Sequence, residues 1–160
     1  MINLKIYLET SAIGYLDEQT SPSEMADMQK LWKLIKQGVY DAAISQVTLD
    51  EITNNKNTEK VDILINYISE INYEKIDITE SANKIAEMLS NIGILAEKHK
   101  DDRLHIGCAV VSNCDIIVSL NFKHLVNVKT IRGVRAIADL EGYNSIDIVP
   151  PAVLIQEGDD

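Results

Sequence analysis

Four short segments place an acidic residue, or its amide, where a strand is expected to end or a helix to begin. The four side chains are those of Glu9, Glu51, Asp102 and Asn121. Oxygen atoms of carboxylates and amides are the ligands that Mg²⁺ and Mn²⁺ prefer, and carboxylates distant in sequence that share one pocket are typical of sites that cleave phosphodiester bonds. The pattern therefore predicts a metal-dependent nuclease.

Taken one at a time, these residues have simpler interpretations. Glu9 suits a surface acid at a strand end, and Glu51 suits a solvated helix face. Asp102 suits a helix N-cap, and Asn121 suits a turn. Asp101 cannot share a helix face with Asp102, so we assign Asp101 to the N-cap and Asp102 to the site, with the reverse assignment as the alternative. Only the joint pattern favours a site.

The elements that must position these residues alternate between strands and helices along the chain. Apolar and β-branched runs predict the strands, and apolar residues at helical spacing predict the helices. The strands are predicted at 4–9, 39–45, 73–78, 115–120 and 145–149, and the helices at 10–16, 22–37, 47–52, 58–71, from Thr79 to near Gly93, 101–113 and 130–140. This order predicts an α/β fold, a three-layer α/β/α sandwich around a mainly parallel sheet.

For two of the helices, the sequence also predicts the cap or the residues that face the core. The segment SPSE at 21–24 predicts a capping serine, Ser21, with a proline at the first helical position. Trp32 on the same helix is expected to pack in the core rather than to stack on a base. The helix over 58–71 is expected to turn Val61, Leu64, Ile65 and Ile68 inward.

Length and composition predict a single domain over residues 1–152 and a flexible acidic tail over residues 153–160. The chain has 160 residues, of which 46% are hydrophobic and 25% are charged. Its two cysteines, Cys108 and Cys114, have no metal-binding spacing, so both are expected to be buried thiols in a reducing cytoplasm. No apolar run approaches the length of a membrane span, which predicts a cytoplasmic protein without a membrane partner.

The net charge of −10 argues against nonspecific adhesion to nucleic acid. It does not exclude an RNA substrate, because part of that charge would lie in the metal pocket. Basic residues are concentrated in one later segment, which contains Lys123, His124, Lys129, Arg132 and Arg135. A basic rim beside an acidic pocket would suit an RNA strand, although such a run is more often a solvated surface.

Four segments resemble, in order and over nearly the whole length, a bacterial PIN domain of the VapC-like toxin ribonuclease superfamily. They are YLETSAI, SQVTLDEI, KDDRLHIGCAVVSNCDIIVSLNFKHL and VNVKTIRGVRAIADLEGY. The SxNFKH ending and the KTIRGV helix match one branch of that superfamily. The resemblance implies a PIN-like α/β/α fold, a Mg²⁺ or Mn²⁺ site and hydrolysis of RNA. It also implies an antitoxin protein as partner and a homodimer.

The resemblance assigns the catalytic positions to Glu9, Glu51, Asp102 and Asn121, of which the first three would be the metal ligands. Glu9 departs from the aspartate usual in the family, and Asn121 replaces an acid, although asparagine is normal in the SxNFKH branch. An amide removes one negative charge and offers no carboxylate to a second metal. We therefore expect one bound metal rather than two.

Neighbouring residues receive supporting roles. Thr10 or Ser11 would hydrogen-bond a ligand carboxylate or a substrate phosphate, and Asn121 would orient the nucleophile. Lys123 and Arg132 are the expected phosphate contacts. His105 lies three residues after Asp102 and suits either a support for that acid or a packed core histidine. His99 and His124 are expected to be surface residues.

Two functions remain open from the sequence. The first is a metal-dependent endoribonuclease, the toxin of a toxin–antitoxin pair. The second is a catalytically degenerate PIN-fold module that binds RNA or a protein partner, which the departures at Glu9 and Asn121 favour. A small-molecule phosphatase is a third, weaker alternative, because the chain has neither a DxDx-type nucleophile motif nor a glycine-rich phosphate loop.

Overall fold

Strand β1 (Lys5–Leu8) lies at the centre of a parallel sheet in the computed structural model, which describes residues 2–155. The strand order is β3-β2-β1-β4-β5, and all four pairings are parallel. The other strands are β2 (Asp41–Ser45), β3 (Tyr73–Ile76), β4 (Ile116–Val118) and β5 (Asp147–Val149). The chain places β2 and β3 on one side of β1 and β4 and β5 on the other, so the strand order reverses beside β1.

Seven α-helices connect these strands in the described part of the chain. They are α1 (Thr10–Gly14), α2 (Pro22–Lys36), α3 (Gln46–Thr53), α4 (Thr58–Ile68), α5 (Glu80–Asn91), α6 (Lys100–Val111) and α7 (Val128–Leu140). Parallel strands need such crossovers, and the helices cover both faces of the sheet.

The alternation of side chains along β1 divides the core into two layers. Ile6 and Leu8 pack with the buried residues of α1, α2 and α4, whereas Tyr7 packs with those of α5, α6 and α7. Successive side chains of a strand point to opposite faces, so one short strand contributes to both cores. The expected three-layer α/β/α sandwich is confirmed, and its sheet is parallel throughout.

Several helices differ from the sequence prediction in their first residue or in their N-terminal cap. Helix α6 begins at Lys100, directly after a short 3-10 helix (Glu97–His99), so Asp101 is an exposed residue of the first turn and not the N-cap. Helix α7 begins two residues earlier than expected, because Asn127 caps it by accepting from the Thr130 amide at 2.9 Å. The Ser21 side chain makes no capping hydrogen bond.

The predicted core is largely confirmed, with one residue misplaced. Trp32 is buried and donates from Nε1 to the Tyr67 carbonyl at 3.1 Å, which places it in the core. Ile65 was expected to face inward but is exposed, because α4 buries only a narrow stripe that contains Leu64 and Ile68.

Both cysteines are free and buried. Burial raises the pKa of the Cys108 thiol to about 11 and that of the Cys114 thiol to about 12. Thiols held in the neutral form away from water are poor nucleophiles. The expectation of two buried thiols is confirmed.

The C-terminal part of the described chain packs against the sheet layer. Pro151–Leu154 forms a 3-10 helix, and the Tyr40 hydroxyl donates to the Leu154 carbonyl at 2.7 Å. Residues 156–160 of the predicted tail lie outside the described residues. Among residues 2–155, no helix combines the length and the apolar character needed to cross a membrane.

Gly107 permits the close contact between α5 and α6 that brings α6 towards the sheet. A Cβ atom at this position would overlap the backbone carbonyl of Ala82. Because backbone atoms cannot move aside as a flexible side chain can, the two helices would have to separate.

We predict that Gly107→Ala lowers the free energy of unfolding by about 1–3 kcal/mol through this overlap. Gly14→Ala is the matched control, because Gly14 has helical backbone angles and open space around it. The control should be neutral or stabilising by up to about 1 kcal/mol. Urea denaturation of both variants measures the difference, and equal stabilities would contradict the packing described here.

Candidate active site

The candidate site lies at the carboxyl end of the sheet, beside the point where the strand order reverses. Glu9 follows β1, Glu51 lies on the helix that follows β2, and Asn121 lies on the turn after β4. The first turn of α6 brings Asp102 to the same edge, where it feels the charges of Glu9 and Glu51. Open α/β sheets bind their ligands at this location.

The carboxylate of Glu9 is buried and caps α1. Its side chain is 4% exposed. Oε2 accepts from the Ser11 amide at 2.9 Å, and Oε1 accepts from the hydroxyls of Ser11 and Ser119, the latter at 2.6 Å. Ser119 was missed from the sequence, although it is the serine of the SxN segment that follows β4. These bonds hold Glu9 in place and satisfy both of its oxygens.

The carboxylate of Glu51 is held from two sides. Thr10 donates from Oγ1 to Oε1 of Glu51 at 2.7 Å, and Nε2 of His105 contacts the same oxygen. The other ring nitrogen of His105 lies 2.6 Å from the Tyr7 hydroxyl, which in turn lies 2.6 Å from the Ser45 hydroxyl. A continuous hydrogen-bonded chain therefore runs from the core to Glu51.

His105 is thus a core histidine that supports an acid of the site, but the acid is Glu51 rather than Asp102. Its side chain is 1% exposed. Burial opposes the charged ring, but the hydrogen bond that the ring donates to Glu51 and the charges of Glu9, Glu51 and Asp102 outweigh it, so the pKa of His105 is raised. Burial likewise opposes ionisation of Glu51, but His105 and Thr10 lower its pKa. Both shifts favour an ion pair.

Asp102 differs from the other two acids because its carboxylate accepts no hydrogen bond within residues 2–155. Among residues 2–155, the one basic side chain within 4 Å of this carboxylate is His99, whose Nδ1 lies 3.8 Å from Oδ2 and whose pKa is lowered by burial. Burial raises the pKa of Asp102, and so do the charges of Glu9 and Glu51, against the lowering effect of His105 and His124. Asp102 therefore carries a negative charge that its surroundings do not balance.

Asn121 uses its side-chain oxygen to hold the turn after β4. Oδ1 accepts from the His124 amide at 3.0 Å, while the backbone carbonyl of Asn121 accepts from the amides of Leu125 and Val126. The Nδ2 group makes no hydrogen bond in the described part of the chain. Asn121 can therefore offer a ligand its Nδ2 group as a hydrogen-bond donor more readily than its Oδ1 atom as an acceptor.

The two basic residues predicted as phosphate contacts are both exposed. Lys123 is exposed on the turn that Asn121 holds, and Arg132 is exposed on α7. Their contacts with phosphate stay predictions. His99 and His124 were expected to be surface residues, whereas both are half-buried, and their rings stack with centroids 3.8 Å apart and planes inclined by 37°. No periodic pattern links residues 25 positions apart, so the sequence carried no signal of this pair.

The chemistry of the acids suits a hard divalent cation. Across residues 2–155, no three His, Cys, Asp or Glu side chains already converge as a metal cluster. The free carboxylate of Asp102 and the unbonded Oε2 of Glu51 are nonetheless oxygen donors, and the mutual repulsion of the acids is what a bound cation would relieve. These oxygen atoms are therefore of the kind that Mg²⁺ and Mn²⁺ prefer as ligands.

Models of known protein families give no match to the chain, and neither do curated proteins. A chain in the crystal structure of VapBC2 from Rickettsia felis, bound to a DNA fragment from its promoter, has a similar structure. The alignment covers 91% of this chain and 97% of that chain, with a TM-score of 0.57 and 16% identity. The chain has a PIN-like fold. The fold implied by the sequence resemblance is confirmed.

A second solved structure also aligns with this PIN-like chain. It is VapBC-5 from Mycobacterium tuberculosis, a member of the VapBC family of toxin–antitoxin systems. The alignment covers 91% of this chain and 98% of that chain, with a TM-score of 0.48 and 14% identity.

We predict a favourable coupling between Glu51 and His105 in a double-mutant cycle of Glu51→Gln and His105→Gln. Because the Glu51 side chain is about one third exposed, we expect about 1–2 kcal/mol rather than the larger value of a fully buried pair. Denaturant unfolding at pH 6 measures it. Additive effects of the two substitutions would contradict the ion pair.

The same coupling should depend on pH in a defined direction. The pKa of folded His105 lies above its ordinary value of 6.5, so its contribution is full below pH 6.5 and falls as the pH rises through the folded-state pKa. The pKa of folded Glu51 lies below its ordinary value of 4.5, so its contribution is full above pH 4.5 and falls as the pH drops through the lower pKa. Repeating the cycle across this range should give a maximum between pH 4.5 and pH 6.5, and a coupling that grows at higher pH would oppose this assignment.

Proposed function

We propose that the protein is a metal-dependent endoribonuclease whose centre is formed by Asp102, Glu51 and Glu9. The observation that carries the proposal is the unbalanced carboxylate of Asp102, which lies within electrostatic reach of the other two acids at the carboxyl edge of a parallel sheet. Carboxylates that repel one another cost folding free energy, which a bound cation would offset, so their presence at this edge favours a functional role.

The three acids would have different parts in holding Mg²⁺ or Mn²⁺. Asp102 and the free oxygen of Glu51 would be the direct ligands, and Glu9, whose oxygens are already hydrogen-bonded, would act through its charge or through a water. When bound, the cation supplies an activated water and offsets negative charge on the phosphate oxygens. One cation is proposed, because Asn121 provides no carboxylate for a second.

Other residues of the chain would bind and orient the reactants. His105 and Thr10 hold the Glu51 carboxylate in one position. The Nδ2 group of Asn121 would donate to the attacking water, and Lys123 and Arg132 would contact phosphates of the RNA strand. Positioning of this kind lowers the barrier because the groups need no rearrangement during the reaction.

The biological setting follows as part of the same proposal. The fold shared with VapBC2 supports a cytoplasmic toxin with an antitoxin protein as its partner. A homodimer and a single domain over residues 1–152 belong to the proposal as well.

The second candidate is a PIN-fold module that binds RNA or a protein but does not cleave. The position of Glu9 favours it, because both oxygens of this carboxylate are occupied by Ser11 and Ser119. In this case Glu9 is a structural cap, and the acids would no longer form a metal site.

Cleavage of a labelled single-stranded RNA in Mn²⁺, in Mg²⁺ and in EDTA separates the two candidates. The nuclease should cut with either metal and stop in EDTA. Asp102→Asn should reduce the rate by more than about 100-fold, because it removes a ligand charge without changing the shape of the side chain. Asp101→Asn is the matched control on the same helix turn, and its exposed carboxylate should be dispensable.

Two results would contradict the nuclease proposal. Cutting that persists in Asp102→Asn at the wild-type rate would identify a contaminant or a different centre. Wild-type protein that cuts with neither metal, yet retains RNA, would favour the binding module.

A further inference from the structure

The only phenylalanine of the chain, Phe122, is exposed at the edge of the candidate site. Its side chain is 54% exposed, although the chain has few aromatic residues and buries its single tryptophan. Phe122 directly follows Asn121 on the turn after β4. Phe122 thus presents a large apolar ring to solvent next to Asn121, a residue of the candidate site.

The turn that carries Phe122 is held rigidly. The Asn121 amide donates to Ser119 Oγ at 3.0 Å, and Asn121 Oδ1 accepts from the His124 amide at the same distance. The His124 carbonyl accepts from Thr130 Oγ1 at 2.8 Å, which fixes the turn to α7. Phe122 therefore stands on a preorganised backbone, and a ligand that contacts it would not have to order a flexible loop.

The histidine pair connects this turn to the acids. The His124 ring stacks on the His99 ring, and His99 in turn lies beside Asp102. Lys98 directly precedes His99 and Lys123 directly precedes His124, so each histidine of the pair has a lysine as its neighbour in the chain. The surface formed by Lys98, His99, Phe122, Lys123 and His124 is called here the aromatic–basic surface.

The composition of this surface indicates its ligand. The protein has a net charge of −10, so a local group of cations and aromatic rings differs in character from the whole molecule. Proteins that bind single-stranded nucleic acid combine basic groups for the phosphates with aromatic faces on which bases stack. A duplex keeps its bases stacked on each other and offers no base face to a protruding ring.

We propose that the aromatic–basic surface binds an unpaired ribonucleotide next to the scissile phosphate, so that the protein selects single-stranded RNA. Phe122 stacks on the base, and Lys123 with the histidine pair contacts the adjoining phosphates. This inference rests on the proposed ribonuclease function for its substrate, but the binding it describes is measurable without cleavage.

The test is equilibrium binding of a fluorescent single-stranded RNA in EDTA at low salt, with the duplex of the same sequence as comparison. We expect Phe122→Ala to weaken single-strand binding at least about fivefold and Phe122→Trp to retain it, since a base stacks on any aromatic face. Leu140→Ala is the matched control, because Leu140 is another exposed apolar residue, 70% exposed, at the far end of α7. Its affinity should equal that of the wild type, and the duplex should bind more weakly than the single strand.

Each other outcome overturns the proposal. If the wild-type protein binds neither the single strand nor the duplex, or binds the two with equal affinity, it has no surface that selects single-stranded RNA. If Phe122→Ala binds single-stranded RNA with wild-type affinity, Phe122 does not stack on a base, and a contact with a protein would be the better explanation of its exposed ring. Separate cleavage assays in Mn²⁺ distinguish failure of this proposal from failure of the nuclease proposal. If the wild-type protein binds single-stranded RNA but does not cleave it, only the nuclease proposal is refuted. If the wild-type protein cleaves RNA but Phe122→Ala binds it with wild-type affinity, only the role of this surface is refuted.

Discussion

Repulsion between carboxylates at one edge of the sheet is the constraint on which the rest of the structure depends. Parallel pairing of β1 with β2 and β4 brings Glu9 and the helix of Glu51 to the same edge, and α6 adds Asp102. Like charges at short range cost free energy that the fold must offset. Serine hydroxyls hold the first carboxylate and a buried histidine pairs with the second. The third, that of Asp102, accepts no hydrogen bond within residues 2–155, and we propose that a cation balances its charge.

The buried polar chain gives the site its rigidity. Tyr7 lies on the central strand, and its hydroxyl joins Ser45 at the end of β2 to His105 on α6. Burial raises the pKa of Tyr7, so the hydroxyl remains neutral and able to donate. Because every member of such a network has its partners, displacement of one side chain would leave others unsatisfied in the core. The position of Glu51 is therefore determined by packing of the sheet layer as much as by its own helix.

The sequence predicted those features that depend on local pattern. Alternation and apolar runs located every strand, and the edge shared by the acids followed from parallel topology. Asp101 was assigned wrongly to the N-cap because a 3-10 turn runs directly into α6, and cap preference alone does not detect such a turn. The stacking of His99 on His124 was missed because it depends on how two separate turns approach in three dimensions. The sequence also did not indicate that His105 pairs with Glu51, because helical spacing relates residues of the same helix and Glu51 lies on another one.

Calorimetric titration of Mn²⁺ into the wild-type protein and into Asp102→Asn tests directly whether these acids form a metal site, because the measurement needs no substrate. We expect one Mn²⁺ to bind per chain in the wild type and no measurable binding in the variant, whose side chain keeps its shape but loses its charge. Wild-type protein that binds no Mn²⁺, or Asp102→Asn that binds it as well as the wild type, would contradict the assignment of these acids as a metal centre.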